Sequence, residues 1–391
     1  MLKLTFLGTS AGMPTKQRNV TALAIECLNP YLMGSSRQQD SNQHTNQNNN
    51  QHINQYINQH KSQNKKSRPW LLIDCGEGTQ HQLLHTKLSL HQLAVICITH
   101  VHGDHCYGLP GLLASAAMSG RQEPLTLIAP KAIETLLEAF TLTTELYLPF
   151  AINFMVIEDL LSEQDGKITI CLNKQHQLDI DITPLSHRVA SHAFGVTQKI
   201  SHRILNTDKL KSEGIPASAL WGRLQQGEDV CTEDGQQLLS VDYVQNEQQR
   251  TRIVVAGDND RPNLLSDAVK CADLLIHEAT YTHEILIKIQ AKNPDFDPMH
   301  SSAQLVGKFA QNIGLKNLIL THFSARYQSF DNPNSRTPNM ADIRLDAESA
   351  YQGNLWLAAD FAQYMVDGTA DLIDDKDNNR VQYLGSARDD K

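Results

Sequence analysis

Apolar residues along the chain fall into short blocks separated by polar loops. Residues 94–99, 125–128, 252–256, 274–276 and 318–320 are nearly continuous apolar runs of strand length. That is the pattern of strands covered on both faces. Residues 130–142 and 302–312 repeat apolar positions at helical spacing, which predicts amphipathic helices. Buried strands mixed with such helices predict a layered α/β domain spanning residues 1–370. Residues 20–26 alternate as a strand and residues 70–74 form a second apolar run, which together predict a hairpin.

The chain between those two strands is of foreign composition. Residues 38–64 contain 16 Gln or Asn out of 27, with Gln at 43, 47, 51, 55, 59 and 63 and His at 44, 52 and 60. Such a tract buries too little apolar surface to offset its ordering entropy. It is predicted to be a disordered insertion over residues 36–68, placed at a hairpin tip where extra chain costs least. Metal capture or self-association through its His and Gln residues is the alternative. The last 21 residues, 371–391, are polar and are predicted to be a frayed tail.

The tract also accounts for much of the modest 40% hydrophobic content. No run approaches the about 18 apolar residues of a membrane span, so no membrane association is expected. The first residues read as a strand rather than a leader, which makes the cytoplasm the default. The seven cysteines are scattered without a Cys-x-x-Cys pair, so neither a disulfide framework nor a thiolate zinc site is expected. A net charge of -9 argues against coating nucleic acid through bulk positive potential. It leaves room for a nuclease whose positive charge is local or supplied by metal ions.

The densest chemistry lies at the end of the run 94–99, in Thr99-His100-Val101-His102-Gly103-Asp104-His105. His100 and His102, two apart on extended chain, point the same way. Gly103 permits a turn, after which Asp104 and His105 face a second point nearby. One loop thus offers imidazoles to one ion and a carboxylate plus an imidazole to another, a donor set suited to zinc and similar divalent ions. Three further runs end in a matching residue: 180–186 in His187, 253–257 in Asp258, and 318–321 in His322. Together they could complete two ion sites at one rim.

The His-x-His-x-Asp-His motif resembles the metallo-β-lactamase superfamily. Within it, Gly8-Thr9-Ser10-Ala11-Gly12-Met13-Pro14-Thr15-Lys16-Gln17-Arg18-Asn19, the run from His100 to Leu112, His277-Glu278-Ala279-Thr280-Tyr281, His300-Ser301-Ser302-Ala303 and Thr321-His322-Phe323-Ser324-Ala325-Arg326-Tyr327 resemble the ribonuclease Z family of tRNA 3′-processing endonucleases. The resemblance implies an αββα sandwich with a protruding arm, here residues 202–245, that binds substrate. It implies two Zn2+ per subunit, with Mn2+ or Co2+ as possible substitutes. His100, His102 and His187 would hold the first ion, Asp104, His105 and His322 the second, and Asp258 would bridge them. His300 would act beside the scissile phosphate, Glu278 would orient it, and Asp104 would take a proton from the attacking water. Lys16, Arg18 and Arg326 are candidates for phosphate contacts, since a guanidinium or ammonium matches phosphate oxygens. For Arg261 a surface ion pair is the preferred reading. Precursor tRNA is the implied partner and a homodimer the implied assembly.

Three departures from the family pattern stand out. The Gly-Pro at the centre of the arm reads Ser218-Ala219, and Lys209, Lys211 and Arg223 are the arm's main basic residues. One extra residue separates Asp258 from Arg261. Met299 precedes His300 where the family favours Gly. The altered arm keeps an alternative open: a related hydrolase acting on a small phosphodiester, sulfate ester or lactam. An interaction protein driven by the Gln/Asn tract is disfavoured, because all seven ligand positions are filled.

Overall fold

The computed structural model describes residues 1–29, 68–173, 175–370 and 380–388. Apart from Arg68, the predicted insertion 36–68 lies outside the described residues, as do residues 371–379 and 389–391 of the tail.

Two sheets pack face to face. The first is built from β1 (Leu2–Gly8), β2 (Ala22–Cys27), β3 (Trp70–Ile73), β4 (Leu93–Cys97), β5 (Leu125–Ala129) and β6 (Ile152–Val156). The second holds β7 (Lys167–Asn173), β8 (His176–Leu185), β9 (Ser191–Leu205), β10 (Val244–Ala256), β11 (Leu274–Glu278), β12 (Asn317–Thr321) and β13 (Asn354–Leu357). The chain then returns to the first sheet as β14 (Ala362–Val366) and β15 (Val381–Ser386), beside β1.

The strand alternation explains why there are four layers. Leu23, Ile25, Leu71, Ile73, Val95 and Cys97 of the first sheet meet Ile180, Phe194, Ile253, Val255, Ile276 and Ile319 of the second in one core. The intervening residues point outward. Trp70, Leu72 and Ile96 pack under Leu109, Leu112 and Leu113 of the helix Leu109–Met118. Val254, Leu275 and Leu318 pack under Val306 and Phe309 of the helix Ala303–Asn312 and Ile343 of the helix Met340–Glu348. Each strand therefore has two buried faces, and each sheet needs a helical layer outside it. Every large side chain so buried is worth about 1.5–3 kcal/mol. Ser302 starts the first of those helices by accepting a hydrogen bond from the Leu305 N–H, a side-chain cap. The predicted hairpin is present, since β2 pairs antiparallel with β3.

Strand direction fixes where the site lies. β8, β10, β11 and β12 run the same way, because β9 is antiparallel to both β8 and β10 while β10, β11 and β12 are mutually parallel. Likewise β1, β3 and β4 share a direction. The loops after all these strands gather at one edge of the sandwich. Among the described residues, no helix is long and apolar enough to cross a membrane.

Residues beyond the sheet follow the long β9–β10 ladder, which stays in register from Ala193–Ala256 to Leu205–Val244. At its far end the helices Thr207–Ser212, Ala219–Gln226 and Ser240–Tyr243 close over a small core of Leu210, Ile215, Leu224, Val230, Leu238 and Tyr243. Ser218 caps the second helix by accepting from the Leu220 N–H, so the departure at Ser218-Ala219 supplies a helix start.

The fraying expected for residues 371–391 is corrected for part of that segment. Val381 is 2% exposed and joins the inter-sheet core, and the Tyr383 ring lies 5.3 Å from that of Tyr364. Residues 381–386 add an edge strand by antiparallel pairing with β14, anchored by the buried Val381.

Candidate metal centre

His100 follows β4, His187 follows β8, Asp258 follows β10 and His322 follows β12, so all arrive at the same edge. After His102 the chain makes the helical turn Gly103–Cys106, which brings Asp104 and His105 inward. Two close approaches depend on glycine. A Cβ on Gly76 would lie 2.3 Å from the Asp104 carbonyl oxygen, and one on Gly257 would lie 2.7 Å from the Thr99 Cβ. Both loops reach the cluster only without a side chain there.

The ligand atoms form two groups. His100 Nε2 and His187 Nε2 each lie 3.2 Å from His102 Nδ1. Asp258 Oδ2 is 3.7 Å from the first and 3.6 Å from the second. In the other group, His105 Nε2 and His322 Nε2 are 3.2 Å apart, and Asp104 Oδ2 is 3.5 Å and 3.3 Å from them. Asp258 Oδ1 completes that group at 3.4 Å from His105 and 3.3 Å from His322. The two oxygens of Asp258 thus face two different centres. Donors about 2.0–2.1 Å from a tetrahedral ion stand about 3.3–3.4 Å apart, and the observed spacings fit. The structure brings together all seven residues that the sequence suggested as ligands.

The far side of four imidazoles is occupied. His105 Nδ1 is 2.7 Å from Asp74 Oδ2, and His187 Nδ1 is 2.8 Å from the Met299 carbonyl. His100 Nδ1 meets the Thr99 hydroxyl at 3.0 Å, and His322 Nδ1 meets the Thr280 hydroxyl at 3.1 Å. Such partners fix the tautomer that aims Nε2 at an ion. Asp104 is steadied by the Gly12 N–H, which donates to Oδ2 at 2.7 Å.

The electrostatics follow from burial and pairing. Desolvation holds His100 well below the usual imidazole range, in the neutral form a ligand needs. His105 is buried too, but Asp258 and Asp74 outweigh that and raise it well above. Asp258 sits well below the usual carboxylate range, because His322, His105 and His100 outweigh its burial. Burial pushes the Cys106 thiol up to about 12, so it stays protonated and does not compete as a thiolate ligand.

His300 stands at the edge of the cluster, its Nδ1 3.0 Å from both oxygens of Glu278 and 3.8 Å from Asp258. Burial opposes its charge, but Glu278 raises it to about 9. Glu278 is 1% exposed at the end of β11, and accepts from the Asn259 N–H and the Thr280 hydroxyl as well.

Lys16 and Arg326 are exposed on neighbouring loops. Arg18 is a correction. It is only 5% exposed, donates to the Tyr327 carbonyl, and lies against Phe323, which ties the loop before Asn19 to the segment after His322. Its guanidinium is turned into the protein rather than out to solvent. The exposed Arg261 pairs with Asp260 at 3.8 Å, in line with the surface reading.

Several site residues had not been singled out. Asp74, with φ 60°, holds Thr99 and His105. Its signal was the same strand-then-carboxylate pattern that marked Asp258. Asn259 is fully buried and joins its own loop to those of Ser186 and Ser301 and to the end of β11. Its Oδ1 accepts from the Ser186 and Arg261 N–H groups, its N–H donates to Glu278, its carbonyl accepts from the Ser301 hydroxyl, and its amide nitrogen is 3.1 Å from His277 Nε2. The bond to Arg261 is an Asx turn. Met299 has φ 55°, a left-handed conformation that suits glycine and that goes with its carbonyl reaching His187.

The cleft over the cluster has a volume of about 250 Å3. Gly12, Arg188, Tyr281, Phe296, Pro298 and His300 form its rim.

Comparisons with known proteins agree with this geometry. A ribonuclease Z from Pseudomonas putida strain GB-1 is 41% identical over 93% of this chain and 96% of its own length. A ribonuclease BN from Proteus mirabilis is 33% identical over 85% of this chain and 92% of its own. Among solved structures, the metallo-β-lactamase fold protein YhfI of Bacillus subtilis superposes with a TM-score of 0.52 at 14% identity, covering 92% of this chain and 97% of that one. The human short-form tRNase Z gives 0.50 at 20% identity, covering 92% and 98%. These two share the fold. A family model described as Anti-Pycsar protein Apyc1 matches residues 51–149.

Proposed function

The chain belongs to the ribonuclease Z family, and from that premise we propose that it is a metal-dependent endoribonuclease that cuts the 3′ trailer from precursor tRNA and leaves a 3′-hydroxyl on the tRNA. The observation that carries the chemistry is Asp258, which turns one oxygen to each of two donor groups. The donor set of imidazoles and carboxylates suits two Zn2+, with Mn2+ or Co2+ as substitutes. When bound, such ions acidify an attacking water and neutralise charge on the phosphodiester.

The protein's own groups do the rest. Asp104, held by Gly12, takes the proton released by the attacking water. His300, kept protonated by Glu278, donates a hydrogen bond or proton where negative charge builds. Asn259 keeps Glu278, His300 and the His187 loop in one arrangement. The acidic balance of the chain does not oppose phosphate binding, because two divalent ions held by these residues would add local positive charge at the cleft. The arm, residues 202–245, engages the tRNA body. A homodimer acting in the cytoplasm completes the reading.

Incubation of the metal-loaded protein with a trailer-bearing precursor, followed by mapping of the 3′ end, tests it. A single new 3′-hydroxyl end is expected, and no cleavage with zinc, manganese or cobalt would refute it. The small-ester reading retains one supporting observation: Lys209, Lys211 and Arg223 lie near Glu213, Asp208 and Glu228, so the arm is not a bare basic surface.

A further inference from the structure

Outside the ligand cluster, the cleft rim holds one built feature. Arg188, directly after His187, places its guanidinium carbon 4.3 Å from the centre of the Phe296 ring. One of its terminal nitrogens donates to the Asp297 carbonyl at 3.0 Å. Phe296 is 41% exposed and lies on the segment that leads to His300. Asp297 also accepts from the Met299 N–H at 2.9 Å, so the platform and His300 are carried by one braced segment. Both Arg188 and Phe296 line the cleft.

An arginine meant to grip a phosphate presents its fork edge-on. Here one prong is already bound to a backbone carbonyl and the group lies over an aromatic ring. Stacked guanidinium and aromatic planes are what single-stranded RNA bases rest on. The reaction requires such a strand, because the scissile phosphate sits where the trailer leaves the folded tRNA. The geometry points to a stacking subsite, Arg188 on Phe296, that takes the base of a nucleotide flanking the scissile phosphate. This deepens the proposed function and rests on it. The subsite aligns the strand so that the phosphate meets His300, and it tolerates any base, since each has a π-face.

The test is a cycle between protein and substrate. Wild type, Phe296→Ala, Phe296→Trp, Arg188→Ala and Arg188→Lys, each with its metal content verified, are assayed on a precursor. The precursor carries a normal or an abasic nucleotide either just before or just after the cut. Phe296→Ala should lower kcat/KM about tenfold on the normal precursor. Abasic substitution at one of the two positions should lower wild type by a similar factor. The combination should be no worse than either alone. Phe296→Trp should restore the rate, and Arg188→Lys, which keeps charge but loses the plane, should behave like Arg188→Ala. Multiplying effects at both positions, or a Phe296→Ala protein as fast as wild type, would overturn the subsite. If wild type cleaved no precursor, the functional proposal would fail by itself. Binding of single-stranded oligoribonucleotides, intact and abasic, to metal-loaded His300→Ala with and without Phe296→Ala would then decide the subsite by the same coupling.

Discussion

At the cleft, side chains from several strand ends converge on two centres, and four of five imidazoles have their far nitrogen occupied. On the arm, six apolar side chains form the core, and its principal cations lie beside carboxylates of the arm itself. The first region is over-determined: most of its ligands are positioned by a glycine, a hydroxyl, a carboxylate or a backbone carbonyl. The second is held by a long ladder and a thin core, and exposed ion pairs add little to its stability. Under the proposed function, the contrast would separate two demands of the reaction. Chemistry needs donor atoms fixed within fractions of an ångström, whereas holding a large folded RNA needs reach and shape.

The largest effect that would sharpen the contrast is at the shared ligand. Asp258→Ala should remove ions from both centres and abolish detectable turnover, whereas His187→Ala should disturb chiefly the centre it faces; metal analysis of the purified variants checks this. Next comes His300→Ala. Removing a general acid–base group typically costs about 10²–10⁴ in rate; His300 also stands within ligand reach of Asp258 and His322, but the ions should stay, since both centres have their donors without it. Loss of the metal along with activity would make His300 a ligand and break the division of labour drawn here.

A third comparison acts on the arm. Leu205 and Val244 are paired across the ladder, so residues 206–243 can be replaced by a two-residue turn. Precursor cleavage should then fall to background while hydrolysis of a small chromogenic phosphodiester persists. If both persist, the small-ester reading gains. The smallest expected effect is at Met299. A β-branched Val in its left-handed conformation should cost about 1–2 kcal/mol in denaturant unfolding and loosen the His187 centre, while Gly should be tolerated.

How much of this was legible in the sequence follows the same division. The motif from His100 to His105 stood out because clustered histidines after an apolar run have no packing rationale; His187, Asp258 and His322, each weak alone, became legible only because that loop needs further ligands from strand ends. A layered α/β domain followed from strands apolar on both faces, whereas the αββα order came from the family resemblance. Asp74, Thr99, Thr280 and Asn259 were harder to see, since each acts through a partner distant in sequence or through local backbone geometry. Arg18 misled for a physical reason: a charged residue in a loop beside the cleft reads as a phosphate contact, and only tertiary packing shows its guanidinium turned inward against Tyr327 and Phe323. Residues 381–386 misled in the opposite direction, because a polar approach hid a short edge strand anchored by the buried Val381. The departure after Asp258 was visible, but the Asx turn that Asn259 makes there was not.

The central claim, that two ions held around Asp258 perform RNA cleavage, is tested most directly by titrating the metal-free protein with zinc while following trailer release from a tRNA precursor. Activity should be absent without metal and reach its plateau at two zinc ions per chain. A plateau at one ion, or cleavage that persists in excess chelator, would contradict it.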